Sequence, residues 1–294
     1  MEKKTSSDAY FRFIYIAVLI FLAGGLCAGL SFAEDIDIVN RPVNSSGLTG
    51  ILATTSPYTL PKGMFEVAAS VASESSVTPD YTILQYPLSV TMGVSEHSEA
   101  ALRGTYYNIK EGPTITAPVA RKAGTIELSY KWNFLPAKED SSQPSVALFM
   151  SGVIPQESNN NERVNEVSHW GMRIGIAAGT ELTWRDHLLA LYVDGQIVGN
   201  DLTQKRLRDT YGMVNGGLLF PISRYRNLQL LFEYTLVNGK DRITIDGGDY
   251  SAMTYGLRMV SERFNLTMGT QFLRKRAPGF EDSNKVIGLL SVKF

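Results

Sequence analysis

The stretch that decides the fold is residues 124–134, which read G-T-I-E-L-S-Y-K-W-N-F. Large apolar side chains take every second position, and polar or charged side chains take the positions between them. Because side chains of a β-strand point alternately to its two faces, the stretch predicts a strand with one apolar and one polar face. A helix that packs on a core does not produce this period.

The same alternation recurs along the chain and predicts twelve strands. They cover residues 64–72, 83–94, 99–109, 124–134, 145–154, 168–182, 187–199, 210–221, 227–238, 250–260, 264–273 and 285–294. Short connections, such as 95–98 and 261–263, alternate with longer polar ones, as in outer-membrane β-barrels. We therefore expect an all-β fold, a closed antiparallel transmembrane β-barrel of about twelve strands with both termini periplasmic. A soluble β-sandwich is the alternative, since its strands also alternate.

The last strand ends the chain on an aromatic residue, Phe294. Together with Gly288 and Val292, it resembles the assembly signal of bacterial outer-membrane β-barrels, although the glycine of that family usually lies one place nearer the end. The resemblance implies insertion by the barrel-assembly machinery with periplasmic chaperones. It also implies a location in the bacterial cell outer membrane, in contact with its lipid and lipopolysaccharide.

The first 33 residues read as a signal peptide. Lys3, Lys4 and Arg12 precede a long apolar run, and Ser31-Phe32-Ala33 supplies a small-x-small cleavage pattern. An uncleaved membrane anchor is the alternative, because the run is long enough to span a bilayer. The only cysteine, Cys27, lies in this leader, so the remaining chain contains no disulfide and no cysteine zinc site.

Residues 34–62 have little periodicity, and we predict an irregular lead-in that is either periplasmic or folded into the lumen of the barrel. Its sequence Gly47-Leu48-Thr49-Gly50 resembles the start of some envelope β-barrels linked to polysaccharide export. The barrel itself is predicted over residues 63–294.

Charged side chains of the predicted strands share the inward face, because Arg or Lys facing lipid at the midplane costs ~2–4 kcal/mol. Two interpretations stay open: the charges line a narrow aqueous pore, or they pair across a filled interior. Gly171, Gly175 and Gly179 are also predicted to face inward, where they leave room in the lumen or permit bending. The candidate lumen-lining residues are Glu66, Arg103, Glu127, Lys131, Arg173, Glu181, Asp194, Glu233 and Arg258.

Clusters of basic residues are predicted at the bases of the outer loops. They either contact phosphates of the outer-leaflet glycolipid through charge-assisted hydrogen bonds or form a solvated rim. These residues are Arg121, Lys122, Lys205, Arg206, Arg208, Arg274, Lys275 and Arg276.

The charge balance and the scattered histidines exclude several functional classes. With 28 basic and 29 acidic residues, the chain is not expected to bind nucleic acid. Ser168 and His169 are adjacent, so in a strand they point to opposite faces and do not form the dyad of outer-membrane phospholipases.

We predict no enzyme, no cofactor and no metal. The predicted function is a narrow channel for passive passage of small solutes; the alternatives are a structural or envelope-assembly barrel linked to polysaccharide export and a lipid-modifying enzyme. The oligomeric state is open.

Overall fold

A single antiparallel sheet closes on itself to form the protein. In the computed structural model, residues 41–76, 81–111, 122–137, 143–155, 170–184, 187–200, 210–222, 227–238, 249–275 and 282–294 are described. All of them belong to one compact unit, Ile36–Phe294. The predicted leader lies outside these residues. Within the same ranges, no helix is long and apolar enough to cross a membrane.

Twelve strands follow one another around the barrel in chain order, and β1 pairs with β12 to close it. This confirms the predicted all-β fold and the closed antiparallel barrel of twelve strands, whereas the periplasmic position of the termini stays a prediction. The strands are β1 (Phe65–Ser76), β2 (Tyr81–Ser95), β3 (Ser98–Glu111), β4 (Lys122–Leu135), β5 (Ser145–Pro155), β6 (Gly171–Trp184), β7 (His187–Asn200), β8 (Thr210–Pro221), β9 (Leu228–Asn238), β10 (Tyr250–Val260), β11 (Phe264–Lys275) and β12 (Ser283–Lys293).

The apolar residues of the alternating pattern cover the outside of the barrel. In β4, Leu128 is 61% exposed and Trp132 is 51% exposed, whereas Glu127 and Lys131 between them are buried. An apolar exterior around a polar interior is the inverse of a water-soluble core, and it is the arrangement that a lipid environment requires.

Strand ends differ from the prediction at several places. The strands β1 and β2 extend so far that only residues 77–80 connect them, although a longer loop, 73–81, was expected. Ser73, Glu74 and Ser75 interrupt the apolar pattern, but they continue the pairing with both neighbouring strands. Backbone pairing therefore continues beyond the residues that alternate between apolar and polar, as the strands extend past the apolar outer surface.

The two ends of the barrel are distinguished by their connections. At the short-connection end, three of the five connections have only two or three residues (96–97, 185–186 and 261–263), and the C-terminus lies there too. Phe294 donates its backbone N–H to Phe65 O at 2.8 Å and accepts from Phe65 N at 3.1 Å. The opposite end, here called the long-connection end, carries connections such as 112–121, 201–209 and 239–249.

Candidate functional site

Residues 41–60, the lumenal segment, lie inside the barrel in its short-connection half. The segment makes antiparallel bridges between Val43 and Thr49 and between Gly50 and Thr55. Its first turn contains Gly47, whose φ of 86° is in the left-handed region that glycine adopts without a steric penalty. Twelve strands enclose a wider space than the eight strands whose own side chains fill a barrel. The chain therefore occupies part of its lumen with its own backbone.

Glu233 of β9 receives the middle of the lumenal segment. The backbone N–H groups of Leu52, Ala53 and Thr54 donate to its carboxylate at 2.8–3.1 Å. The Glu233 side chain is completely buried. A carboxylate that accepts several backbone N–H groups is stabilised in its charged form by charge-assisted hydrogen bonds.

Two further wall carboxylates accept backbone N–H groups of the segment. Asp194 of β7 accepts from Thr55 at 2.7 Å, and Glu66 of β1 accepts from Val43 at 3.1 Å. Both acids are buried. Carboxylates from three strands thus bind the segment through its main chain.

Glu99 of β3 joins both arms of the lumenal segment and a buried lysine. It accepts from the N–H of Thr49 at 2.9 Å and from that of Leu60 at 2.8 Å. Lys131 of β4 lies 2.8 Å from the same carboxylate and donates to Ser56 O at 3.1 Å. Because Glu99 and Lys131 are both fully buried, removing one of them leaves an uncompensated charge.

Arg258 of β10 provides the complementary interaction on the opposite wall. Its Nη2 donates to the carbonyl oxygens of Gly50 and Ile51, and its Nε donates to Thr267 at 3.1 Å. The wall thus offers carboxylates to the N–H groups of the segment and cations to its carbonyl groups. This pattern satisfies main-chain polar groups that the barrel has removed from bulk water.

The beginning of the segment is held by an arginine clamp at the short-connection end. Arg41 donates through Nε and Nη2 to the two oxygens of Glu181, each at 2.9 Å, and its guanidinium lies 3.7 Å from the ring centre of Tyr58. The Tyr192 hydroxyl also donates to Glu181, at 2.9 Å. Burial, with the Glu181 charge adding to it, raises the pKa of Tyr58 to about 12.

Wall glycines make room for the apolar side chains of the segment. A Cβ built on Gly217 would lie 2.5 Å from Ile51 Cδ1, and one built on Gly269 would lie 2.9 Å from Leu52 Cδ2. Gly175 likewise leaves room for the ring of Phe149, which packs beside Leu48. These positions explain why glycines interrupt the inward faces of several strands.

Part of the wall in the long-connection half of the lumen is exposed. Several of its inward-facing side chains are partly exposed, whereas most wall side chains around the lumenal segment are buried. Since these side chains face away from lipid, the exposed area faces space inside the barrel. They include Gln85, Arg103, Tyr107, Arg173, Gln196 and Lys285.

The nine predicted lumen residues all lie on the inward face, but they divide into two groups. Lys131, Arg258 and the acids Glu66, Glu181, Asp194 and Glu233 contact the lumenal segment. Arg103, Glu127 and Arg173 lie together between the segment and the long-connection end. Their role as pore-lining residues stays a prediction. Glu99, which shares the inward parity of Arg103, was missed, because the predicted strand began at that residue.

The expected basic rim is only partly visible. Arg274 is exposed, and Lys122 begins β4. Lys275 requires a correction: its side chain is buried in the lumen and lies 3.2 Å from Glu74, because it shares the inward parity of Gln271. Arg121, Lys205, Arg206, Arg208 and Arg276 lie outside the described residues, as do Ser168 and His169.

Comparisons with known proteins identify the architecture. An outer membrane channel from Pseudomonas putida F1 aligns with a TM-score of 0.58 at 9% identity, covering 81% of this chain and 98% of that one. The NanC porin aligns at 0.53 with 13% identity, covering 78% and 100%, and LpxR from Salmonella typhimurium aligns at 0.50 with 8% identity, covering 76% and 99%.

This chain has the fold of an outer-membrane β-barrel. No protein-family model and no curated protein matches the sequence. At identities of 8–13%, the structural likeness shows the fold alone, and function has to be argued from the lumen.

Proposed function

We propose that the protein is an outer-membrane channel for small solutes whose lumen is closed at the short-connection end by its own lumenal segment. One observation carries the proposal. Several polar side chains are partly exposed in the long-connection half of the lumen, whereas residues 41–60 fill the other half. A barrel wide enough to require an inserted segment becomes an aqueous passage when that segment moves.

Displacement of the segment has to break its contacts with the wall. Its main chain is bound by Glu66, Glu99, Asp194, Glu233 and Arg258. When the segment leaves, water replaces its hydrogen bonds and solvates these charges. This exchange is why an intramolecular hydrogen bond contributes only ~0.5–1.5 kcal/mol net, or ~1.5–3 kcal/mol when one partner is charged.

The structural comparisons agree with this proposal without deciding it. Two of the similar structures are described as a porin and as an outer membrane channel. In this chain, a passive channel needs no energy source and no cofactor. It needs only a polar wall around a continuous aqueous passage for the solute.

A reversible crosslink between the lumenal segment and the wall tests the proposal. A Cβ built on Gly217 lies 3.3 Å from Thr54 Cβ, close to the ~3.5–4.5 Å that separates the Cβ atoms of a disulfide. The double variant Thr54→Cys/Gly217→Cys should therefore lock the segment to β8 when oxidised. In planar bilayers, we expect the reduced variant to conduct at least about threefold more than the oxidised variant, because only the reduced segment can leave the passage.

The matched control is the wild-type protein, whose current should not respond to oxidant or reductant. Cys27 is the only natural cysteine and lies in the predicted leader. If neither redox form conducts, and a variant that lacks residues 41–60 folds but is also silent, the channel proposal is wrong.

A structural or envelope-assembly barrel is the second candidate. The sequence Gly47-Leu48-Thr49-Gly50, which resembles the start of polysaccharide-export barrels, lies within the segment that fills the lumen. A permanently filled lumen suits a structural role, and an electrically silent barrel in the same experiment would favour this candidate.

A further inference from the structure

The geometry points to a binding site for small organic carboxylates in the partly exposed, long-connection half of the lumen, built on Arg103, Glu127 and Arg173. This inference rests on the proposed channel function and adds the class of solute. The three side chains come from β3, β4 and β6, and they face the same space above the lumenal segment.

The central acid of this cluster uses its two oxygens for two different arginines. Arg103 Nη1 donates to Glu127 Oε2 at 2.9 Å, and Arg173 Nη1 lies 3.5 Å from Glu127 Oε1. Strand pairing places Arg103 directly opposite Glu127. Arg173 reaches the acid across β5, where Ser151 is its register partner. The carboxylate thus holds the Arg103 guanidinium through a hydrogen bond and the Arg173 guanidinium through an ion pair.

Glu127 does not use all the donors that the two arginines present. Each guanidinium has five N–H donors and no acceptor. The Nε atoms of Arg103 and Arg173 have no hydrogen-bond partner within the described part of the chain. The two side chains are 12% and 28% exposed, whereas that of Glu127 is 3% exposed. The acid therefore lies behind the arginines, whose Nε atoms are buried, and it is the exposed part of the two arginine side chains that borders the open part of the lumen.

Charge decides which anions suit the site. Two arginines and one glutamate carry a net charge of +1, so one monovalent anion balances the cluster. A divalent anion such as sulfate would overcompensate it and would lie near the buried Glu127 carboxylate. Because a carboxylate matches the planar fork of a guanidinium in two parallel hydrogen bonds, a monovalent carboxylate fits both the charge and the geometry.

The surroundings of the cluster favour the same class of solute. Between the lumenal segment and the long-connection end, the described lumen also contains Glu74, Lys275 and Lys285. With the cluster, these make four basic and two acidic side chains, a net charge of +2. Tyr107, Tyr211 and Tyr250 lie near Arg173. Tyrosine hydroxyls near the cations suit a carboxylate that also carries hydroxyl groups.

The position of the site along the barrel gives it a role in the closed state. Leu48 of the lumenal segment packs with Ala101 and Phe149. Ala101 is the next inward residue of β3 after Arg103, toward the short-connection end. The cluster therefore lies directly above the filled half, where an entering anion stops. Binding can be measured on the closed protein, without a conducting channel.

Calorimetric titration of the folded protein in detergent micelles tests the site. Sodium gluconate is the probe, sorbitol is its uncharged counterpart, and sodium sulfate is the divalent competitor. We expect gluconate to bind, sorbitol not to bind, and sulfate to bind at least about tenfold more weakly. Absence of gluconate binding, or equal affinity for sulfate, would overturn the inference.

Substitutions connect the binding to the cluster. Arg103→Gln/Arg173→Gln should weaken gluconate binding by at least about tenfold. The triple variant that adds Glu127→Gln should do the same, and it guards against misfolding caused by an unpaired buried acid. Arg103→Lys/Arg173→Lys keeps the charge but loses the forks, so it should recover only part of the affinity. Arg263→Gln, an exposed arginine in a turn outside the lumen, is the matched control and should bind as the wild type does.

The outcomes separate this inference from the channel proposal. If the reduced Thr54→Cys/Gly217→Cys variant conducts but gluconate binding does not depend on the arginines, the carboxylate site is wrong and the channel stands. If gluconate binds through the arginines but no form conducts, the site stands and the channel proposal fails.

Discussion

At the residue scale, two glycines that are neighbours in β8 have opposite surroundings. Gly217 faces the lumen, where a Cβ would meet Ile51 and Thr54 of the lumenal segment. Gly216 faces outward, and a Cβ there would meet nothing within 4 Å. The pair isolates the fit of the segment from any general effect of a β-branched residue in this strand.

Gly217→Val should destabilise the protein by ~1–3 kcal/mol, because the added methyl groups overlap with the segment and push it from the wall. Amide hydrogen exchange should rise at Thr54 and Thr55, whose N–H groups donate to Glu233 and Asp194. Gly216→Val should change the stability by no more than ~0.5 kcal/mol. Equal effects of the two substitutions, by urea unfolding in micelles and by exchange, would contradict the packing described here.

At the element scale, the terminal strand and the lumenal segment are stabilised by different means. β12 pairs with β1 and β11 along its whole length, so its main chain is satisfied by a regular ladder. The lumenal segment makes two short bridges and six backbone hydrogen bonds of its own, and wall side chains satisfy several of its other polar groups. The strand is part of the barrel closure, whereas the segment occupies a space that closure creates.

The side chain of Phe294 is 70% exposed, and only its backbone takes part in the pairing with Phe65. Phe294→Ala should therefore leave the folded barrel nearly as stable as before but lower its recovery in the outer-membrane fraction several-fold, if the terminal aromatic is read during assembly. Phe272→Ala, at another outward-facing aromatic, is the control and should assemble normally. If both variants are recovered equally, the predicted assembly signal is wrong.

At the scale of the whole molecule, closure of the sheet satisfies the backbone and determines the solvent that the protein needs. No strand is left as an edge in the closed order of twelve, so the wall meets the condition for spanning a hydrocarbon layer. The belt around it contains large apolar side chains from every strand, including Val71, Leu102, Ile174 and Leu257.

The chain from residue 34 onward should be monodisperse in detergent micelles and should aggregate when the detergent is removed. The physical reason is the continuous apolar belt, which is far larger than the patches found on soluble monomers. Size-exclusion chromatography with light scattering measures both states. A monodisperse protein in plain buffer would contradict the membrane-spanning orientation of the belt.

Much of the wall was predictable because strand alternation is a local property. Residues 124–134 indicate their two faces without reference to any other part of the chain, and Glu127 and Lys131 could be assigned inward from parity alone. The lumenal segment was harder to predict, because Gly47, Pro57 and their neighbours have no period. Its place, left open between the periplasm and the lumen, depends on partners that are distant in sequence. Lys275 was misplaced because a charged residue at a strand end is compatible with either a rim or a lumen.

The sequence by itself determined an alternating wall of twelve strands, with apolar residues outside, charges inside and a chain end suited to closing the ring. Only the tertiary structure decided what those charges do. Glu233 and Thr54 are 179 residues apart in the chain. They are in contact only because closure of the sheet places β9 around the lumen that residues 41–60 occupy. Alternation is read from neighbouring residues, whereas pairing across a barrel depends on closure, register and the width of the space that the strands enclose.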